Sequence, residues 1–108
     1  MKLAGLRVIE LSQFLPGPHL AMMMGDQGAE VIKVEPPSGE PNRHIGVHQA
    51  GCSVFFRNTH RGKKSIILNL KDPRGQEALL KLTDRADVLV EAFRLRIWPV
   101  PCWRWRAC

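Results

Sequence analysis

No stretch of the 108-residue chain approaches the ~20 consecutive apolar residues that a membrane span requires. The opening Met1-Lys2-Leu3-Ala4-Gly5-Leu6-Arg7 lacks the long apolar core and small-residue cleavage site of a secretory signal. A cytoplasmic protein without a membrane partner is therefore expected. Cysteine is scarce: Cys52, Cys102 and Cys108 form no CxxC pair, and their odd number excludes a complete disulfide framework. All three read as free thiols. His19, His44, His48 and His60 are scattered, with no pair at metal-ligand spacing, so no metal site is expected. There is no GxGxxG fingerprint to suggest a nicotinamide cofactor, and neither an internal repeat nor a low-complexity segment.

What is present is ordinary for one small folded domain: 44% apolar and 24% charged residues. Net charge is +6, from 16 Lys and Arg against 10 Asp and Glu. Half of the excess comes from Arg96, Arg104 and Arg106, in a final stretch without an acid. That uneven distribution argues against a nucleic-acid surface and for an anionic small molecule or a solvated loop. Within the body, the dense basic cluster is Arg57, Arg61, Lys63 and Lys64, with His60 among them.

Strands and helices alternate. The apolar, β-branched run 6–11 predicts a buried strand, followed by a turn over 12–17. Pro18 suits the first helical position, and a helix to Gln27 places Leu20, Met23 and Met24 on one side. Gly28 fits the left-handed closing position, and 30–35 returns as a second strand. Such a βαβ unit implies a right-handed crossover and parallel strands. Residues 36–53 predict a long loop, of the kind that is usually functional or mobile. A third strand is expected over 65–70. Asp72 then caps a helix beginning at Pro73 and running to about Asp84, burying Leu79, Leu80 and Leu82. Residues 87–91 make a fourth strand. The fold class is α/β with a mainly parallel sheet. Residues 95–108, LRIWPVPCWRWRAC, break this grammar: they hold all three tryptophans, and Pro99 and Pro101 exclude a regular helix across them. The expected organisation is a body over 1–94 and an aberrant tail, frame-shifted or truncated, over 95–108. An exposed aromatic-basic tail gripping a membrane surface or nucleic acid is the alternative.

Several motifs occur in order: Leu3-Ala4-Gly5-Leu6-Arg7-Val8-Ile9-Glu10-Leu11, Pro16-Gly17-Pro18, and Gly25-Asp26-Gln27-Gly28-Ala29-Glu30-Val31-Ile32-Lys33-Val34-Glu35-Pro36-Pro37. Arg43, Asn58, Lys63-Lys64-Ser65-Ile66, Leu68-Asn69-Leu70-Lys71, Pro73, Gly75, Ala86-Asp87-Val88-Leu89-Val90-Glu91 and Phe93-Arg94 follow. Together they resemble the opening of the family III CoA-transferases. This is the CaiB/BaiF group, with formyl-CoA and carnitine CoA-transferases and α-methylacyl-CoA racemase. The likeness covers 3–94 and ends there, since the family continues with Pro-Gly where this chain has Leu95-Arg96.

The resemblance implies the N-terminal part of a Rossmann-like parallel-sheet domain in a longer enzyme that forms an interlocked homodimer. It implies coenzyme A or acyl-CoA as substrate and no permanently bound cofactor. It also places the family's catalytic aspartate downstream of this chain, so no catalytic residue is expected here and the fragment is expected to be inactive. In the transferases that aspartate attacks an acyl thioester, which is covalent catalysis by a carboxylate. In the racemases, acid and base groups exchange the α proton. These residues do not separate the branches, although Pro16-Gly17-Pro18-His19 with Met22-Met23-Met24 leans toward the racemases. A stand-alone CoA- or nucleotide-binding module is a further alternative.

Coenzyme A offers phosphates, an adenine ring and a pantetheine arm, which call for cations, aligned N–H donors and an apolar slot. The carboxyl ends of parallel strands at a switch point supply these. By resemblance, Leu15 and Pro16 lie against CoA, and Leu68, Asn69, Leu70 and Lys71 line its adenosine part. Leu68 and Leu70 are equally readable as core strand residues. Where the family reads Glu-Asn-Phe, this chain has Glu91-Ala92-Phe93. Ala92 lacks the amide that helps hold CoA, a loss on the order of 0.5–1.5 kcal/mol. Phe93 is a candidate for the adenine face, and Arg94 and Arg43 for phosphate. Pro36 stands where some relatives place a nucleotide-facing arginine. Glu10 and Glu35 read as strand-end charges rather than an acid/base pair.

Overall fold

The computed structural model describes residues 1–92; Phe93, Arg94 and the stretch 95–108 lie outside the described residues. The element order is β1 (Arg7–Glu10), α1 (Pro16–Asp26), β2 (Glu30–Glu35), a 3-10 turn (Pro41–His44), β3 (His48–Gln49), β4 (Cys52–Ser53), α2 (Val54–His60), β5 (Lys64–Ile67), α3 (Pro73–Thr83) and β6 (Val88–Val90). Four strands form one parallel sheet in the order β5-β2-β1-β6. The expected α/β class is borne out. The chain moves outward from β1 through β2 to β5, then crosses back to place β6 on the free side of β1. That reversal makes the β1/β6 boundary the switch point.

The two-residue period of strands sorts the core. Val8, Val31 and Val90 face Ala21 of α1, with Met24 and Ala29 alongside. Ile9, Leu11 and Val34 face Leu79 of α3, with Leu82 and Leu89 packed around them. Both faces of β1 and β2 are thus covered, which accounts for their near-continuous apolar runs. Gly28 has φ +101 and closes α1 as expected. Asp72 caps α3 by accepting from the Arg74 N–H at 2.9 Å, with Pro73 next.

Several sequence expectations are corrected. Helix α1 begins at Pro16 rather than Pro18, so both prolines lie in the first turn, where a missing N–H costs nothing. Its buried positions include Gly17, Pro18, Ala21 and Met22, while Leu20 and Met23 are half exposed. The reason is the i, i+4 spacing of Gly17 and Ala21, which lets the backbone approach the sheet and turns the bulkier stripe outward. The long 36–53 stretch is not structureless: it holds the 3-10 turn and the small antiparallel hairpin β3/β4. Residues 54–60 are helical, capped by the Ser53 hydroxyl, which accepts from the Phe56 N–H. Strand β5 ends at Ile67, which leaves Leu68, Asn69 and Leu70 beyond it. Leu80 is exposed, on the outer side of α3.

Glu10 and Glu35 end their strands, as expected, but neither meets solvent. Both are buried in ion-pair networks, because the face that carries Val8 and Val31 carries Glu10, Lys33 and Glu35 further along. The basic cluster is likewise divided. Lys63 is buried against Glu10, Arg61 pairs with Asp26 and Lys64 pairs with Glu30.

Candidate functional site

The carboxyl ends of the four strands form one edge. Neighbouring strands lie about 4.8 Å apart, so the ends of β5 and β6 are separated by about 14 Å along it. The segment 11–15 leaves β1, 68–72 leaves β5, and Glu91-Ala92 leaves β6. Leu15, Pro16, Leu68, Asn69, Leu70, Lys71 and Ala92 therefore sit on the same edge, as a parallel α/β sheet uses it for ligands. Leu15, Pro16, Asn69, Lys71 and Ala92 are exposed there, while Leu68 and Leu70 are half-buried and pack onto the α3-side core.

Each segment is anchored from beneath. The Leu11 N–H donates to the Val90 carbonyl at 2.8 Å, joining the β1 exit to β6. The Leu68 N–H donates to the Glu35 carbonyl at 3.0 Å, and the Asn69 side chain accepts from the Lys71 N–H at 3.1 Å. Gln76 donates to the Leu70 carbonyl at 2.9 Å and ties that loop to α3.

Under the β1 exit lies a buried polar layer. The Lys33 ammonium is 2.9 Å from Glu10 Oε1 and 2.9 Å from Glu40 Oε2, and it also donates to the Ser12 carbonyl. Lys63 reaches the other Glu10 oxygen at 2.7 Å and the Pro18 carbonyl at 2.8 Å. Burial pushes the Lys63 ammonium down from its usual range, and the Glu10 carboxylate opposes that shift. Arg43 forks onto Glu35 through Nε at 2.9 Å and Nη2 at 2.6 Å, with its guanidinium 4.1 Å from the Phe56 ring centroid. The Arg43 guanidinium holds the Glu35 carboxyl at about 2, helped by the Glu40 N–H and the Ser65 hydroxyl. The structure thus places Arg43, a candidate phosphate ligand, in a fork that orders the loop behind the edge. Glu40 and Asn42, fully buried and in direct contact with the β1 exit, were not singled out by sequence reasoning. Both stand in a Gly/Pro-rich stretch whose polar residues carry no periodic signal.

His60 ends α2 in an apolar setting, stacked on Phe56 at 4.3 Å between ring centroids. Its Nδ1 lies 2.8 Å from the Thr59 hydroxyl and 3.2 Å from the Phe56 carbonyl. Nε2 is buried without a partner among the described residues. Burial first, then the charges of Lys63 and Lys33, push the imidazole down to about 4. Between pH 6.5 and 4 the unfolded chain takes up a proton at this residue that the folded chain refuses, so stability falls as pH falls through that window. Urea melts from pH 6.5 to 5 should show a loss approaching 1.4 kcal/mol per pH unit from this group. His60→Phe should flatten the slope, and an unchanged slope would contradict the assignment.

Among the described residues no helix is long and apolar enough to cross a membrane.

A sequence profile of CoA-transferase family III matches residues 3–99. The chain is 42% identical over 95 residues to a succinyl-CoA:mesaconate CoA-transferase of Haloarcula marismortui, an alignment covering 82% of this chain and 24% of that protein. It is 43% identical over 91 residues to an acetyl-CoA:oxalate CoA-transferase of Acetobacter aceti, covering 83% and 23%. Among solved structures, a CaiB/BaiF family protein from Brucella suis superposes with a TM-score of 0.80 at 38% identity, covering 86% of this chain and 26% of that one. The chain thus spans about a quarter of the length of the relatives it matches. The parallel sheet with its three helices superposes on the corresponding quarter of that CaiB/BaiF family protein. This chain belongs to CoA-transferase family III.

Proposed function

We propose that the carboxyl edge of this sheet binds coenzyme A or an acyl-CoA as part of an enzyme that moves CoA between carboxylic acids in the cytoplasm. The observation that carries this reading is the gathering of the β1, β5 and β6 exits on one edge, with the β1/β6 switch point at its end. An edge about 14 Å long suits an extended ligand with separate adenine, phosphate and pantetheine parts better than a compact one. Leu15 and Pro16 offer an apolar wall, the 68–70 backbone offers polar groups to the adenine, and the exposed Lys71 offers a cation to a phosphate. Both named relatives are CoA-transferases, which supports transfer over the α-proton exchange of a racemase.

The resemblance puts the carboxylate nucleophile in downstream sequence, and no residue described above takes its place. The chain by itself therefore binds without turnover, and a full-length relative would complete the site as a homodimer. CoA transfer by the purified chain from an acyl-CoA donor to an acid would overturn that part.

Titration calorimetry of the purified chain with CoA is the direct test. Saturable binding that weakens on removal of the 3′-phosphate is expected, with Lys71→Ala lowering affinity by about three- to tenfold. No heat with CoA at millimolar concentration would sink the reading.

A further inference from the structure

Phe14 stands out in the edge segment because its backbone is left-handed, with φ 63, a conformation that an aromatic residue adopts only under constraint. Its side chain is half exposed, so packing of the ring does not supply that constraint. The constraint comes from its two peptide groups. The Phe14 N–H donates to Glu40 Oε1 at 3.0 Å, and the Phe14 carbonyl accepts from the Asn42 side-chain amide. Both side chains are fully buried and lie 26 and 28 residues further along the chain, on the turn that follows β2.

The Asn42 side chain is informative because it is only half satisfied. Its Oδ1 is buried with no partner among the described residues, so the amide's hydrogen bond is the one that Nδ2 donates to Phe14. A buried amide with an orphaned oxygen is a poor way to fill a core position, and an apolar side chain of the same size would fill it without that cost. Glu40 is held in turn by Lys33 at 2.9 Å, and its own N–H donates to Glu35 Oε2 at 3.0 Å. The grip on Phe14 is thereby tied to the charged layer beneath the sheet edge. Leu15 and Pro16, the next two residues, take their direction from the peptide that this grip holds.

We infer that Asn42 and Glu40 are positioning residues: they hold the strained Phe14 peptide so that Leu15 and Pro16 present a preformed wall to the CoA ligand. This rests on the binding role proposed for the edge. Neither residue touches the ligand; each acts through the Phe14 backbone.

The test is a double-mutant cycle between Asn42→Leu and Phe14→Gly on the purified chain, read by CoA calorimetry and by amide hydrogen exchange. Leu keeps the branched skeleton of Asn42, with bulkier methyl groups in place of the amide, and removes its hydrogen bond. N42L should keep a cooperative melt, speed exchange of the Phe14 and Leu15 amides, and weaken CoA binding about tenfold. Glycine adopts the left-handed conformation without strain, so F14G needs no grip there. The double variant should bind CoA within about threefold of F14G alone, a coupling that a general loss of packing would not produce. N42L that loosens the Phe14 amide yet binds CoA like wild type would overturn the inference, as would an equal tenfold loss in both backgrounds. If wild type takes no CoA, the binding role of the edge falls instead, and exchange decides alone: unchanged Phe14 and Leu15 protection in N42L then overturns the grip itself.

Discussion

Lys33→Met should lower the stability of the chain by about 3–5 kcal/mol, a large part of the ~5–15 kcal/mol that a domain of this kind possesses. Methionine matches the length of the lysine stem, so little apolar packing is lost. What is lost is the cation between two carboxylates that are both fully buried, Glu10 and Glu40. Glu10 keeps Lys63 at 2.7 Å. Glu40 keeps the Phe14 N–H but no cation among the ion pairs described above. A fully buried carboxylate left without its cation carries the desolvation cost of its charge uncompensated. Adding Glu40→Gln, which removes the orphaned charge and keeps an acceptor for Phe14, should recover part of the loss. Denaturant melts of wild type, Lys33→Met, Glu40→Gln and the double variant measure this. A Lys33→Met loss below about 1 kcal/mol would mean that the layer behaves as an exposed ion pair.

Local pattern carried the fold and missed the layer under the edge, for a physical reason. β1, β2 and α3 were legible because Val8-Ile9 and Val31-Ile32 belong to short apolar, β-branched runs, and because Asp72-Pro73 marks a helix start within two residues. The edge itself was legible through family motifs, since Leu15, Pro16 and 68–71 follow strands that lie in one parallel sheet. Glu10 and Lys33, by contrast, are polar letters at the ends of apolar runs. In sequence they look the same whether they meet solvent or each other, and their pairing across 23 residues has no local signature. Arg43 shows the same limit. A basic residue in a loop suggests an anion, but its nearest anion is Glu35 of the same chain. The stripe of α1 was misjudged because side-chain size outweighed hydrophobicity: Gly17 and Ala21, not Leu20 and Met23, approach the sheet.

That inversion makes α1 the place where one substitution should act with opposite signs at two positions. Gly25→Ala puts a Cβ 3.5 Å from Val31 Cγ2, an ordinary contact, and replaces a poor helix former by the best one. A gain of roughly 0.5–1 kcal/mol is expected. Gly17→Ala offers the same helical advantage, but its Cβ would overlap the Ser12 side chain, including the Ser12 Cβ. Ser12 cannot swing aside cheaply. It is buried, its hydroxyl donates to Glu10 Oε1 at 3.1 Å, and its carbonyl accepts from Lys33. To admit the methyl, either α1 must lift from β1 and Val90 or the β1 exit must shift, and both disturb the charged layer. The overpacking cost of about 1–3 kcal/mol outweighs the propensity gain, and the damage to the ion pairs adds to it. The net loss should reach about 2 kcal/mol or more, accompanied by weaker CoA binding, because the displaced segment runs directly into Leu15 and Pro16. Thermal melts of the two single variants decide the matter. Equal shifts of the same sign would show that α1 does not sit on the sheet through its small residues.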